Sequence, residues 1–85
     1  MELDTKDIYE GARNLEILRD IIKNHQHSRV NVAGKTIAVD MQTANVLVTV
    51  HDALNIEMKT KFIAMLYHSP DSFNKIVNFS WGQVA

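Results

Sequence analysis

The stretch RVNVAGKTIAV, residues 29–39, decides the fold class of this chain. Its large apolar residues alternate with smaller or polar ones on either side of a central Ala-Gly pair, a period of two that is typical of β-strands. The pattern therefore predicts a β-hairpin. A two-residue or a four-residue loop keeps the large apolar side chains on one face, whereas an odd loop without a bulge would turn one strand over. Because Ala33 disfavours the positive φ of a type I′ turn, a longer loop or a bulge is a reasonable expectation.

The segment before the hairpin predicts a long helix over residues 5–24, with Asp4 or Thr5 as its N-cap. One stripe of this helix is apolar at a spacing of three and four residues: Ile8, Ala12, Leu15, Leu18 and Ile22. Further apolar residues lie away from that stripe. We therefore expect a helix that is apolar on more than one side.

The segment after the hairpin predicts three more helices, each starting at a residue that caps helices well. The caps are Asp40, Asn55 and Ser69, the last followed by a proline at the favoured first helical position. The helices are expected over residues 41–54, 56–67 and 70–84. The fold class is therefore α+β, a single compact domain of order α-β-β-α-α-α over residues 1–85.

Length and composition bound what this chain can be. Its 85 residues allow one domain with one small core, and 46% hydrophobic against 22% charged residues is a globular mixture. With no cysteine in the sequence, neither a disulfide nor a thiolate is available. Stability must come from apolar packing, helped by a partner subunit if there is one.

The charge pattern indicates patches and no strong overall field. The formal net charge is −1, with an acidic start over residues 1–12 and a basic segment over residues 13–35. No apolar run is nearly long enough to cross a membrane, and the acidic N-terminus lacks the features of a secretion signal. We expect a soluble cytoplasmic protein without a membrane partner.

Two histidines in a polar connection raise the question of a metal. His25 and His27 are two residues apart, so in an extended segment both rings project to one side, and Asp20 or His68 could add a third ligand. No second pair of ligands has a recognisable spacing. A solvated loop is the favoured interpretation, and we expect no metal and no cofactor.

His51 is predicted among apolar residues of the second long helix. It is either a buried general base or pH-sensitive switch, or a histidine at the edge of the core with one nitrogen bonded to backbone, which is the favoured interpretation. Asp52 points about 100° away on a helix, so no His–Asp pair is expected.

Two features of the sequence raise the question of a nucleotide or nucleic-acid site. Gly34-Lys35-Thr36 lacks the earlier glycine and the following helix that a phosphate-binding loop requires. The last two helices could form a helix-turn-helix whose outer face carries mostly uncharged polar residues and a single lysine: Asp71, Ser72, Asn74, Lys75 and Asn78. That face is poor in positive charge, and a plain helical hairpin is favoured.

The second apolar side of the first helix suggests an interaction surface. Tyr9, Ile17 and Ile21 exceed what one small core needs, and Arg13 lies at their margin. Phe79 lies off the main stripe of the last helix, and Trp81 could anchor either core or partner. The opposing interpretation is that the first helix packs between the hairpin and the later helices and buries both sides.

These observations favour a small non-enzymatic interaction module, an adaptor, regulator or inhibitor whose partner is another protein or a second copy of itself. The alternative is a nucleic-acid-binding regulator that uses the basic segment 13–35 and the last helix. An enzyme is not expected, because no aligned nucleophile, base and orienting group is visible.

Overall fold

The computed structural model describes residues 4–84 and contains four helices and one hairpin. Met1, Glu2 and Leu3 of the acidic start, and Ala85, lie outside the described residues. The helices are α1 (Thr5–Asn24), α2 (Met41–Ala53), α3 (Ile56–Met65) and α4 (Pro70–Val84), and the strands are β1 (Ser28–Val32) and β2 (Lys35–Val39). The predicted order α-β-β-α-α-α is confirmed. The third helix ends two residues before its predicted end, in a turn at Leu66–Tyr67.

Each helix begins where a short side chain accepts a hydrogen bond from the first turn. At α1 this residue is Asp4, whose carboxylate accepts from the backbone N–H of Asp7 at 2.9 Å. The later caps follow the prediction, because Asp40, Asn55 and Ser69 each accept from the backbone N–H three residues ahead. Local sequence therefore places the helix starts.

The hairpin has the register expected for a two-residue loop. Val32 pairs with Lys35 and Val30 with Ile37, so the expectation of a longer loop or a bulge was wrong. Ala33 and Gly34 both have positive φ, 52° and 89°. The Asn31 side chain accepts a 2.8 Å bond from the Gly34 N–H, and this bond, together with the register, holds Ala33 in its unfavourable conformation.

The core lies where α1 packs against β1, α2 and α3, with α4 completing it from the far side of α2. Its buried side chains come from every helix and both strands, and include Leu18, Val32, Leu47, Phe62 and Phe73. No helix within residues 4–84 is long and apolar enough to span a membrane.

The buried face of α1 differs from the predicted stripe. It carries Asp7, Gly11, Asn14, Leu18 and Ile21, with Leu15 beside them, whereas Ile8 and Ala12 are exposed. The reason is tertiary: α3 approaches α1 at Gly11, where an added Cβ would collide with the Ile63 carbonyl. A residue without a side chain at this point allows the two helices to come close together.

Asn14 is the polar residue that ties three elements together. Its side-chain amide is buried, and it donates one 2.9 Å bond to the carbonyl of Asn31 on β1 and another to the carbonyl of Leu66 after α3. Both amide hydrogens therefore have acceptors, so burial of this group leaves no N–H donor unpaired.

Candidate functional site

The four residues predicted to form an interaction surface do not share one exposed face. Tyr9 is 69% exposed, and Arg13 is exposed beside Glu10. Ile17 is half-buried against the core, and Ile21 is only 1% exposed. The inclusion of Ile21 was wrong, because the hairpin and the later helices cover that side of α1.

Large apolar side chains are exposed on all four helices, up to 76% at Ile56 on α3, and two of those on α4 lie beside a groove. Phe79 is 44% exposed and Val84 is 47% exposed, both on the last three turns of the helix. The interpretation of Phe79 as lying off the buried stripe agrees with its exposure. Trp81, predicted as an anchor of either core or partner, is 40% exposed on the other flank of the same helix.

Phe79 and Val84 border a groove between α2 and α4, which we call the α2–α4 groove. Its volume is about 350 Å³. It is lined by seven residues, four from the end of α2 and its C-cap and three from α4: Thr49, Val50, Ala53, Leu54, Phe79, Gln83 and Val84. Val50 is buried and forms part of the floor, whereas most of the others are exposed or half-buried.

A small buried residue, Ser80, stands next to Phe79 on α4. Ser80 is completely buried, and its hydroxyl donates to the carbonyl of Ile76 at 2.7 Å within the same helix. Its small side chain therefore needs no partner from another element. Phe79, the neighbouring residue, points about 100° away on the helix and is partly exposed.

The chemistry of the α2–α4 groove is that of an apolar contact surface. None of its seven residues is ionisable, and only Thr49 and Gln83 have polar side chains. Such a surface binds by burying apolar area and offers a hydroxyl and an amide for orientation.

A second groove runs between the C-terminal half of α1 and the outer side of α2. It is formed by two adjoining hollows that share Ile22 and Asn45, and Arg19 and Lys23 line one of them. Met41, 39% exposed, lines the other. This groove therefore has apolar walls with positive charges on its α1 side.

His51 and Asp52 form a pair that the sequence did not predict. His51 Nδ1 lies 2.9 Å from Asp52 Oδ1, and Asp52 also accepts two bonds from the Arg19 guanidinium, at 2.8 and 3.2 Å. The expectation that these neighbours point apart was wrong, because a carboxylate reaching back along the helix can meet a ring on the next residue. The bonds from Arg19 and then His51 lower the pKa of Asp52 to about 2.

This network is structural in character. Because the carboxylate of Asp52 can only accept, His51 Nδ1 is the donor of the hydrogen bond between them. Nε2 is buried and has no hydrogen-bond partner among residues 4–84, and the ring packs edge-on to Phe62 at a centroid distance of 5.7 Å. The predicted backbone bond of His51 is thus replaced by one to a carboxylate, and the ring opens onto no groove described above.

A second histidine–carboxylate pair joins the start of α1 to the turn before α4. His68 Nδ1 donates to Asp7 Oδ2 at 2.9 Å, and the Asp7 side chain is only 10% exposed. Sequence reasoning missed this pair because its members are 61 positions apart. Of the neighbouring hydroxyls, Ser69 caps α4, and that of Ser72 lies 2.9 Å from the carbonyl oxygens of Met65 and Ser69, either of which accepts its single proton, so each has a structural partner.

The candidate metal ligands are not brought together. His25 ends α1 in the left-handed conformation with φ 53°, and its backbone N–H donates to the Ile21 carbonyl. His27 is exposed, and His68 is bound to Asp7. Within the described chain, no group of three or more His, Cys, Asp or Glu side chains is placed to hold a metal ion.

The two candidate motifs for nucleotide or nucleic-acid binding have structural roles. Gly34 occupies the hairpin turn and is followed by β2, so no helix N-terminus faces Lys35. On the outer face proposed for α4, Ser72 is buried, and Lys75 Nζ lies 3.3 Å from Asp71 Oδ2. Within the basic segment, the guanidinium of Arg19 forms an ion pair with the carboxylate of Asp52. Arg13 Nη1 lies 3.8 Å from Glu10 Oε2. These carboxylates reduce the positive charge available to a phosphate backbone.

Comparison of this chain with protein-family models, curated proteins and solved structures found no match.

Proposed function

We propose that this chain is a small non-enzymatic protein-interaction module and that the α2–α4 groove is its contact surface. The observation that carries the proposal is the exposure of Phe79 beside a groove without a charged lining residue. Aromatic side chains are enriched at the centres of protein interfaces, whereas charged ones are depleted there. The proposed compartment is the cytoplasm, in keeping with a cysteine-free chain whose fold needs no oxidising environment.

The energetics favour an apolar occupant. Complete burial of a Phe or Val side chain contributes about 1.5–3 kcal/mol, so covering the exposed halves of Phe79 and Val84 contributes on the order of 1 kcal/mol each. The groove residues around them add further apolar area without the desolvation cost of a charge. An adaptor, regulator or inhibitor acting through this groove would therefore recognise an uncharged apolar surface.

Site-specific photo-crosslinking tests the proposal. A benzophenone-bearing phenylalanine analogue at position 79, irradiated in the native cell, is expected to give a covalent adduct with a protein. The further change Ala53→Arg puts a charge into the groove but leaves the crosslinker in place, and it should abolish the adduct.

The matched control is the same analogue at position 81, an aromatic residue of similar exposure on the other flank of α4. It should give little or no adduct. If position 79 gives none, or if its adduct survives Ala53→Arg, the α2–α4 groove is not the contact surface.

A further inference from the structure

We infer that the outer edge of β2 is a docking site for an extended, acidic segment of another protein, which adds to the two-stranded sheet as a third strand. This surface is separate from the α2–α4 groove, and the inference does not rest on the contact proposed there. Three observations support it: the free main-chain groups of β2, the coverage of the opposite edge by α1, and the charge of the hairpin.

The outer edge of β2 carries main-chain groups without partners. Residues that flank a two-residue hairpin loop exchange hydrogen bonds, and such an exchange recurs at every second pair along the strands. Val32 and Lys35 are the flanking pair of this hairpin. The N–H and C=O groups of Thr36 and Ala38 therefore point away from β1. Both residues are exposed, and no other group within residues 4–84 bonds to these main-chain groups.

The edge of β1, in contrast, is covered. This strand packs against α1, and the outward carbonyl of Asn31 accepts a 2.9 Å bond from the Asn14 amide. Asn31 pairs with Thr36 in the register, so the two residues have equivalent positions on opposite edges. No helix of the described chain packs along β2 in this way, and β2 has neither a proline nor a bulge to protect it. An added strand therefore pairs with β2 and not with β1.

The free groups of β2 select an extended peptide. An added strand offers carbonyls to the free N–H groups and N–H groups to the free carbonyls, a pairing that many peptide-binding domains use. The phosphate groups of a nucleic acid are only acceptors, so they leave the carbonyls of Thr36 and Ala38 unpaired. Ile37 lies on the apolar face of the hairpin and is half-buried. An apolar residue opposite Ile37 on the added strand extends that face.

The charge of the hairpin specifies an acidic partner. Arg29 and Lys35 are the only charged residues of the hairpin, both are exposed, and neither forms an ion pair within residues 4–84. Arg29 pairs with Ala38, whose methyl group is too small to cover a long neighbouring side chain. Strands lie about 4.8 Å apart, so a carboxylate opposite Ala38 on the added strand is within reach of the Arg29 guanidinium.

The neighbouring charges leave this preference in place. Asp40, the carboxylate that directly follows β2, accepts from the Thr43 N–H at 2.7 Å and caps α2. A second copy of the chain would bring an equally positive hairpin to the edge, and like charges would meet. The occupant is therefore a different protein with carboxylates in an extended segment.

Selection from a random peptide library, with the purified chain as bait, is the first test. Enriched sequences are expected to combine Asp or Glu with alternating Val, Ile or Thr, and a synthetic peptide of that sequence should bind. Arg29→Glu should weaken this binding by about fivefold or more, because attraction becomes repulsion. Lys61→Glu, at an exposed lysine of α3 without an ion pair in the described chain, is the matched control and should bind like the wild type.

Ala38→Pro tests the main-chain contact. Proline removes the outward N–H at position 38 but no bond to β1, so this variant should stay folded by circular dichroism and no longer bind the peptide. In the wild type, the bound peptide should slow hydrogen exchange at the amides of Thr36 and Ala38, which NMR measures residue by residue. If Ala38→Pro does not fold, the exchange measurement decides alone.

The outcomes separate this inference from the proposed function. The inference is overturned if no sequence is enriched, if the enriched sequences lack acidic residues, or if the amides of Thr36 and Ala38 exchange as before. A peptide that shifts the NMR signals of Phe79 instead binds the α2–α4 groove, which supports the proposed function and contradicts docking at β2. The position-79 adduct should be unchanged in Arg29→Glu, so each surface can fail without the other.

Discussion

Gly11 is the residue at which the packing of α1 tolerates least change. Gly11→Ala adds a Cβ that collides with the Ile63 backbone, which cannot move aside as a flexible side chain can. We expect a net loss of about 1–3 kcal/mol in the free energy of unfolding, even though alanine is the better helix former. Urea denaturation followed by circular dichroism measures this loss.

Gly82→Ala is the matched control, because nothing lies near a Cβ added at Gly82 on α4. This variant should be neutral or more stable by up to about 1 kcal/mol. Equal effects of the two substitutions would show that helix propensity, and not close approach of α1 and α3, governs Gly11.

Asn14 provides a second prediction at the level of single residues. Asn14→Ala removes the donor to two backbone carbonyls, of which that of Leu66 belongs to a completely buried residue. Leaving a buried acceptor unpaired costs about 1–3 kcal/mol, so we expect a loss of at least that size in the free energy of unfolding.

Asn14→Asp tests the reason for that loss. An ionised carboxylate has nearly the same shape as the amide but cannot donate, so this variant should be at least as unstable as Asn14→Ala in a denaturant titration at neutral pH. An Asn14→Asp chain as stable as the wild type would mean that the two bonds to backbone contribute nothing.

The hairpin carries the clearest prediction at the level of elements. Ala33 has φ 52°, a conformation that costs a residue with a Cβ about 1–2 kcal/mol and that asparagine tolerates better. Ala33→Asn should therefore raise the free energy of unfolding by about 0.5–1 kcal/mol in a thermal or urea melt. Ala38→Asn, on the solvent-facing side of β2, is the control and should not stabilise. A less stable Ala33→Asn chain would argue against this turn conformation.

The tie between α1 and α2 has a predicted dependence on pH. The bond from Arg19 is the main cause of the lowered pKa of Asp52, which is about 2 against an ordinary value of 3.8. A carboxyl group whose pKa is lower in the folded state stabilises the fold above its unfolded pKa. That contribution is lost as pH falls through the folded pKa. The stability advantage of the wild type over Asp52→Asn should therefore shrink between about pH 4 and pH 2.

NMR titration of the Asp52 carboxyl checks the cause directly. In Arg19→Gln the pKa of Asp52 should rise towards its ordinary range. The reason is that the hydrogen bond from Arg19 lowers this pKa more than the hydrogen bond from His51 does. His51→Phe should raise it less. An unchanged pKa in Arg19→Gln would rule out the ion pair as the cause.

Some of the elements could be predicted from sequence because their signals are local. Asp40 and Asn55 cap within one turn of their own helices, and the alternation around Gly34 sets the register of the hairpin. The buried face of α1 could not be predicted this way. Asn14 is buried because carbonyl groups 17 and 52 positions away in the sequence accept its hydrogen bonds. The spacing of apolar residues along α1 gives no information about such distant partners.

The candidate site shows the same limit at the scale of the whole molecule. The exposure of Phe79 could be inferred from the wheel of α4, but the hollow beside it exists only because α2 supplies Val50 and Ala53 as its other wall. The surplus of apolar residues was visible in the sequence. Its location was not, since Ile21 on α1 is buried, whereas Phe79 and Val84 on α4 are exposed.

The distribution of charge over the whole molecule gives the last prediction. Arg19 and Arg13 are paired with the carboxylates of Asp52 and Glu10. We therefore expect that the protein is not retained on immobilised double-stranded DNA even at about 50 mM salt. A salt-step elution measures this, and a known DNA-binding protein of similar size serves as the positive control. Retention that falls steeply with added salt would revive the nucleic-acid-binding alternative.

The two bonds of the Asn14 amide have a consequence for how the molecule comes apart. They fasten β1 and the end of α3 to the same side chain of α1, so a movement of α1 at Asn14 breaks the contacts of both elements at once. Unfolding should therefore be a two-state event, with the backbone amides of β1 and of α3 exchanging with solvent at a common, global rate. A domain this small thus behaves as one cooperative unit, although its hairpin has only two strands.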